Sequence, residues 1–278
     1  MAVTCITGAS GFIGTHLARA IPGAHLFDFP DRDLRILADA NAFIRKWQPE
    51  VVFHLAAQPV VTNEDDMETL STNIDGTYNL LHACRDDKNL KSFVHISTDK
   101  VYGYGTVKRD SPLRGFSHPY NTSKLCGDAM AQMYASYYGL PVRIIRTGNI
   151  YGPGDMHLDR IVPGTIMAAL EGKPLEMRSN GNFVRDYIYI DDLIPAYLRI
   201  AGERPGIYNL GGVSISAIDM VNTILRLMGR EDLRPIIKND QHGEISYQRV
   251  TDCPDWWKPA TTLEDGLKAS IKWYSDLL

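Results

Sequence analysis

"VTCITGASGFIG", Val3–Gly14, decides the fold. The apolar run Val3–Ile6 reads as a strand. It passes at once into T-G-A-S-G-F-I-G, Thr7 to Gly14, and then into helical sequence. Gly8 permits a tight turn, Gly11 lets backbone approach a pyrophosphate, and Gly14 lets the helix pack against the strand. Glycine triplets alone are common, and a purely structural turn is the alternative. The strand–turn–helix context is what makes the phosphate reading specific. Ser10, Phe12 and Ile13 share this turn and are expected at the same ligand. An acid, Asp28, ends the next strand-like run, where a carboxylate hydrogen-bonds a ribose diol and repels a 2′-phosphate, favouring NAD over NADP. In "DFPDRDLR" Asp31 stays open as an alternative to Asp28, while Asp33 and Leu34 are expected further along, near the adenine.

Working outward, apolar runs recur at 24–29, 51–55, 92–97 and 142–147, as strands buried on both faces of a parallel sheet require. Helical patterns separate them, from about Ile36 to Trp47, Glu68 to Arg85 and Tyr120 to Tyr138, the last closed by Gly139 and Pro141. This alternation predicts an α/β fold with a doubly wound parallel sheet, whose ligands lie at the carboxyl ends of the strands. Beyond about Gly152 the pattern is irregular, with helices at 158–171, 191–201, 216–228 and 263–277 and short strands such as "YIYI" and "IYNL". The expected division is a dinucleotide domain over 1–152, rejoined by the chain at about 184–212, and a smaller lobe over 153–183 and 213–278. Ser216 with Asp219 has the form of a capping box, and Asp191–Asp192 are expected to cap the helix that follows them.

Composition narrows the function classes. Hydrophobic residues make up 44% and charged residues 22%, with a net charge of -4, so nothing draws the chain to nucleic acid or an anionic membrane. Cys5, Cys84, Cys126 and Cys253 lie far apart, which argues against zinc and a disulfide framework and for a reducing compartment. The histidines lack ligand spacing, so no metal site is expected. No apolar run approaches the roughly 20 residues needed to cross a bilayer. The strand starts so near the first residue that no leader is expected, and a cytoplasmic location follows.

"HISTDKVYG", His95–Gly103, follows the fourth strand and sets an acid, Asp99, beside a base, Lys100. "PYNTSK" then places Tyr120 and Lys124 four residues apart at the start of a helix, on one face. A phenol is a poor base at neutral pH, but an ammonium one turn away stabilises the phenolate and can hold a nicotinamide ribose. A surface pair is the alternative, since Y-x-x-x-K arises by chance in many helices.

Taken in order, TGASGFIG, "HLAAQ" (His54–Gln58), "TNIDGT" (Thr72–Thr77), STDKVYG and YNTSK resemble an extended short-chain dehydrogenase/reductase with a Rossmann sheet. More narrowly the chain resembles the NAD-dependent sugar-nucleotide epimerases and dehydratases. The resemblance implies that Leu55, Ala56, Ala57 and Asn73 join the cofactor site and that Gln58 faces substrate. It implies that Thr98 binds the sugar 4-hydroxyl while Tyr120 takes its proton, with hydride passing to NAD. Asp99 and Lys100 stand where the family's dehydratases carry the acid for the C6 oxygen and the base for the C5 proton. Asp-Lys there resembles the CDP-glucose 4,6-dehydratases and some UDP-N-acetylglucosamine dehydratases, and "RTGNIYGPGDMHLDRIVPG" (Arg146–Gly164) resembles the CDP-glucose pattern. The alternative is that Asp99 and Lys100 merely fill the turn, with Lys100 pointing to water. Asn149 and Arg160 are expected near the substrate phosphates, and Arg185, whose planar fork suits a diphosphate, with them.

The expected partner is a nucleoside-diphosphate sugar, and a homodimer through a four-helix bundle is implied by the helices at 68–86 and 120–138. Met130, Met133, Tyr134 and Tyr137 are either that seam or plain core. Trp256 and Trp257 are expected to pack under the C-terminal helix. The segment between Asp28 and Asp33, and the one before "WKP", are shorter than the family pattern. Rival functions are a sugar-nucleotide 4-epimerase and a non-catalytic dinucleotide sensor, against which Tyr120, Lys124 and Thr98 count.

Overall fold

The computed structural model describes residues 2–59, 66–239 and 245–277. The chain opens with β1 (Thr4–Thr7), α1 (Phe12–Ala20), β2 (His25–Phe27), α2 (Leu37–Trp47), β3 (Val51–His54), α3 (Asp66–Leu70), α4 (Gly76–Cys84) and β4 (Ser92–Ile96). It continues with β5 (Gly105–Val107), α5 (Pro119–Tyr138), β6 (Val142–Thr147), β7 (Asn149–Tyr151), α6 (Ile161–Leu170), β8 (Glu176–Met177), β9 (Val184–Tyr189) and α7 (Ile190–Gly202). The last elements are β10 (Gly206–Leu210), β11 (Val213–Ser216), α8 (Ala217–Leu227), β12 (Ile236–Ile237), β13 (Gln248–Val250) and α9 (Leu263–Ser275).

Two compact units form, one from Met1–Gly103, Arg109–Arg146 and Ile194–Asn209, the other from Tyr104–Lys108, Thr147–Leu193 and Leu210–Leu278. The first holds a six-stranded sheet in the order β10-β6-β4-β3-β1-β2, parallel at each pair from β2 to β6. Cys5, Ile6, Val52, Phe53, Phe93, Val94, Ile144 and Ile145 are buried, which accounts for the unbroken apolar runs. Successive strands step outward from β1 in opposite directions, so the switch point of the doubly wound sheet lies beside β1, where the glycine turn begins. A charge inside β6 is accommodated because the Arg143 guanidinium donates to the carbonyls of Lys91, Pro141 and Glu203.

The expected boundaries at 152 and 184–212 differ from those observed, and pairing gives the reason. β9 joins the three-stranded sheet β11-β9-β7 of the second unit, so residues 147–152 and 184–193 belong there and only 194–209 rejoin the first. In the second unit Ala169, Met177, Val221 and Leu225 form the core beneath α6 and α8. Ser216 caps α8 by accepting from Asp219 N–H at 3.1 Å. Asp192 does a different job from the capping expected of it: its carboxylate accepts from Thr261 N–H and Oγ1–H, both at 3.0 Å, fixing the segment before α9. Trp257 donates its indole N–H to the Gly211 carbonyl at 2.7 Å.

Candidate active site

The glycine turn sits at the carboxyl end of β1. Gly8 has φ +71°, and a Cβ there would lie 2.6 Å from Ala56 N; one on Gly14 would lie 2.1 Å from Gly8 O. Side chains are therefore excluded where backbone must approach backbone, and Gly11 starts α1 with no side-chain cap, leaving its first N–H groups for an anion. The Asp28 carboxylate accepts from Ser10 N–H and from Phe29 N–H, so the acid that ends β2 stands at the turn itself. Asp31 is exposed. Asp33 is taken up by Arg35 at 2.6 Å, whose hydrogen bond holds its carboxyl below the usual carboxylate range. Leu34 is buried, its carbonyl receiving the Asn79 amide at 2.8 Å. These groups fit a dinucleotide: a cradle that a Cβ would fill, an open helix N-terminus and an acid beside them.

Leu55, Ala56 and Ala57 leave β3 half-buried. Asn73 lies in a π-helical turn, Ser71–Asp75, that joins α3 to α4. Its amide accepts from Gln58 N–H at 2.7 Å and donates to Gln58 O and Ser123 Oγ at 3.1 and 2.8 Å. Both N–H hydrogens are thus spent on protein, so Asn73 pins the loop after β3 to α5.

A relay unforeseen from sequence runs beside it. Ala56 N–H donates to Thr7 Oγ1 at 3.3 Å, Thr7 contacts His54 Nδ1 at 2.8 Å, and His54 Nε2 contacts Thr77 Oγ1 at 2.9 Å. Thr77 gives its only hydroxyl hydrogen to Asn73 O at 2.6 Å, so His54 Nε2 must be the donor and Nδ1 the acceptor. Burial, with His95 and Lys124 nearby, pushes the His54 pKa well below its ordinary value and keeps this tautomer neutral.

At the carboxyl end of β4 the chain turns through a 3₁₀ segment, Asp99–Tyr102, ended by Gly103 at φ +77°. Thr98 caps it, accepting from Lys100 N–H at 3.4 Å and donating to Asp99 Oδ1 at 3.1 Å. Asp99 is fully buried, and Lys100 Nζ lies 3.6 Å from Asp99 Oδ1 with its side chain 17% exposed. The pair is therefore packed inward, not a solvated turn. On α5, His118 caps the helix by accepting from Tyr120 N–H at 3.2 Å, and Pro119 opens it. Tyr120 is half-buried. One turn on, Lys124 is buried and donates to Ile96 O at 2.7 Å, which brings α5 to the end of β4 two residues before Thr98. Burial lowers its pKa to about 8, against an opposing pull from Asp128.

Asp128, another turn along the same face, forms a buried bidentate pair with Arg146 at 2.7 and 2.9 Å and accepts from Ser97 Oγ and Gln132 Nε2 at 2.7 Å each. Neither Asp128 nor Arg146 carried an expected role. A second arginine in the strand Val142–Thr147 was the available signal, because a buried guanidinium requires buried acceptors, which for Arg143 are carbonyls and for Arg146 a carboxylate.

In the second unit Asn149 begins β7, opposite Tyr187 in β9. Arg160 stands at the residue before α6, without capping it, and pairs with the buried Asp155 at 3.1 Å, beside His157 on the same carboxylate at 2.7 Å. Arg185 in β9 is buried, its guanidinium over the Phe183 ring at 5.6 Å and donating to Val184 O at 3.0 Å. Asp186 is a tie within this unit, accepting from Ser214 Oγ and from Val250 N–H. Among the described residues no group of three or more His, Cys, Asp or Glu could hold a metal ion, and no helix is long and apolar enough to cross a membrane.

Comparison with known proteins bears on the same residues. A dTDP-glucose 4,6-dehydratase of Haemophilus influenzae is 30% identical over 331 residues, taking in 97% of this chain and 96% of that protein. A trifunctional enzyme of Arabidopsis thaliana, which combines UDP-glucose 4,6-dehydratase with epimerase and reductase functions, is 29% identical over 98% of this chain. That match takes in 47% of the plant protein, so the chain spans about half its length. The solved structure of the dTDP-glucose 4,6-dehydratase DesIV from Streptomyces venezuelae, with NAD and TYD bound, superposes with a TM-score of 0.89 at 26% identity, covering 98% of this chain and 97% of that one. The profile of the NAD dependent epimerase/dehydratase family runs from β1 through β10, residues 4–211, and so takes in the glycine turn, the Thr98 turn and the Tyr120–Lys124 face. The chain belongs to the NAD dependent epimerase/dehydratase family, and NAD is its cofactor.

Proposed function

We propose that the protein is a nucleoside-diphosphate-glucose 4,6-dehydratase. The observation that carries this reading is the buried Asp99 with the inward-packed Lys100 beside it, directly after Thr98 at the end of β4. A 4-epimerase has no use for a second acid and base in that position. NAD supplies the acceptor, and later the donor, of the hydride. Thr98 holds the sugar 4-hydroxyl while Tyr120, its phenolate stabilised by the Lys124 ammonium, takes the hydroxyl proton as hydride leaves C4. The C5 proton, acidified by the new ketone, passes to Lys100. Asp99 protonates the departing C6 oxygen, and water leaves. Hydride returns to C6 and the Lys100 proton to C5. The proton held by Tyr120 balances the one Asp99 has given up, so the net change is loss of one water.

In this reading Gly8, Ser10, Gly11, Phe12, Ile13, Gly14, Asp28, Asp33, Leu34 and the Leu55–Ala57 loop hold the cofactor. Gln58, Asn149, Arg160 and Arg185 serve the sugar and its diphosphate, Arg160 with its charge shared by Asp155. The motif pattern favours CDP-glucose, whereas the relatives named above act on dTDP- and UDP-glucose, so the base is the finest part of the proposal. Exposed Met67, Tyr78, Met133, Tyr137 and Tyr138 on α3, α4 and α5 support a homodimer through these helices, while Tyr134 is core.

A panel of CDP-, dTDP-, UDP- and GDP-glucose with mass detection tests the reading: one of them loses water. A sugar nucleotide inverted at C4 with unchanged mass would establish the epimerase instead, the reading the family name also supports. Lys100→Met is expected to oxidise C4 and stop before water loss, and full dehydration by that variant would remove Lys100 from the base role.

A further inference from the structure

Tyr102 shares the 3₁₀ turn with Asp99 and Lys100, yet its own hydroxyl is committed elsewhere. It donates to Asn209 Oδ1 at 2.8 Å and accepts from Arg146 Nη1 at 2.7 Å, and the Arg146 guanidinium lies over its ring at 4.7 Å. Arg146 is held in turn by Asp128, its Nε and Nη2 hydrogens on the two carboxylate oxygens. Tyr102, Arg146 and Asp128 are each no more than 2% exposed. In a 3₁₀ turn residues three apart eclipse one another, so Asp99 and Tyr102 stand on one face and fixing the second fixes the first. Asp128 is also one helical turn from Lys124, on the face that carries the oxidation chemistry.

The geometry points to Tyr102 as the positioning residue of the dehydration pair, tying the Asp99–Lys100 turn through Arg146 to the Asp128–Lys124 face of α5. This rests on the dehydratase reading above. The tie bears chiefly on elimination. Lys124 is held to Ile96 O and Tyr120 by the His118 cap, contacts that do not involve Tyr102. Thr98, although it bonds to Asp99 and Lys100, follows directly on Ser97, whose N–H is fixed to Ile145 O, whereas the Asp99 turn leans on Tyr102. A buried ion pair is a suitable anchor because its desolvated partners tolerate little displacement, and a misplacement of about 1 Å in a reacting group can cost on the order of 100-fold.

The test is Tyr102→Phe, which keeps the ring under the guanidinium and removes only the hydroxyl. Single-turnover reaction of the NAD-loaded protein with its sugar nucleotide is followed by the absorbance of reduced nicotinamide, whose rise reports C4 oxidation and whose decay reports elimination and hydride return. The rise is expected within about twofold of wild type, and the decay slowed by about 10- to 100-fold. Asn209→Ala, which withdraws the acceptor of the hydroxyl from another strand, must give the same split, and it carries the test if Tyr102→Phe does not fold. Unchanged phases, or both phases slowed by one factor, overturn the positioning role while leaving the dehydratase reading intact. A wild-type protein that oxidises but never releases water sinks that reading, and this inference with it.

Discussion

Replacing Lys124 by methionine tests how the fold treats the ammonium that the proposed reading assigns to the oxidation step. Burial lowers this lysine from 10.5 to about 8, so between those values the unfolded chain holds a proton that the folded one lacks. Raising the pH through that window relieves the cost of burying charge, and stability rises by up to about 1.4 kcal/mol per pH unit, about 3 kcal/mol across the whole window. Methionine has no proton to lose and nearly the same length. It forfeits the hydrogen bond to Ile96 O, a pH-independent loss of about 1 kcal/mol. Below pH 8 the variant is therefore expected to be the more stable protein by about 2 kcal/mol, and at pH 10.5 the less stable by about 1. Urea unfolding of both proteins without cofactor, at matched pH values, cancels the titration of tyrosines and cysteines common to the two. A stability gap independent of pH would refute the argument, and one favouring wild type more strongly at low pH would mean that the fold stabilises the ammonium.

Gly14→Ala forces a Cβ to 2.1 Å from Gly8 O, which only backbone movement can relieve; it is expected to cost about 1–3 kcal/mol in urea unfolding and to weaken NAD binding in calorimetry. Arg146→Met leaves Asp128 charged in the core and is expected to lose roughly 3–5 kcal/mol, whereas the double variant with Asp128→Leu recovers most of it; a double variant as unstable as the single one contradicts the pairing argument. Asp28→Ser removes the carboxylate from Ser10 N–H, and titration with the two dinucleotides should then show NADP gaining on NAD.

The parts of the molecule readable in the sequence are those written in local patterns. β1, β3, β4 and β6 follow their apolar runs to within a residue or two, and the glycine turn, the Thr98 turn and the Tyr120–Lys124 spacing each lie within a few residues. What escaped depends on contacts far apart in the chain. Asp128 and Arg146 are 18 residues apart and Tyr102 is 44 from Arg146, and no periodicity joins them. The π turn at Ser71–Asp75 is equally silent, since "STNID" continues the helical pattern on either side. The expectation that the chain rejoins the first unit from about 184 differs from the structure for a related reason: the apolar run of β9 suits either unit, and only register with β7 and β11 decides.

The hydroxyl–imidazole relay through Thr7, His54 and Thr77 has a direction, because each member has one hydrogen to give and one neighbour able to receive it. A second proton on His54 would make both ring nitrogens donors, and Thr7 would have to turn its own hydrogen away from the ring. The strand end that carries the cofactor turn therefore cannot loosen by degrees as the solution is acidified: it keeps its neutral, one-way arrangement or loses it together with the packing around it. Acid-driven loss of NAD should accordingly coincide with unfolding, while on the proposed reading activity should respond at higher pH, through Lys124 at about 8.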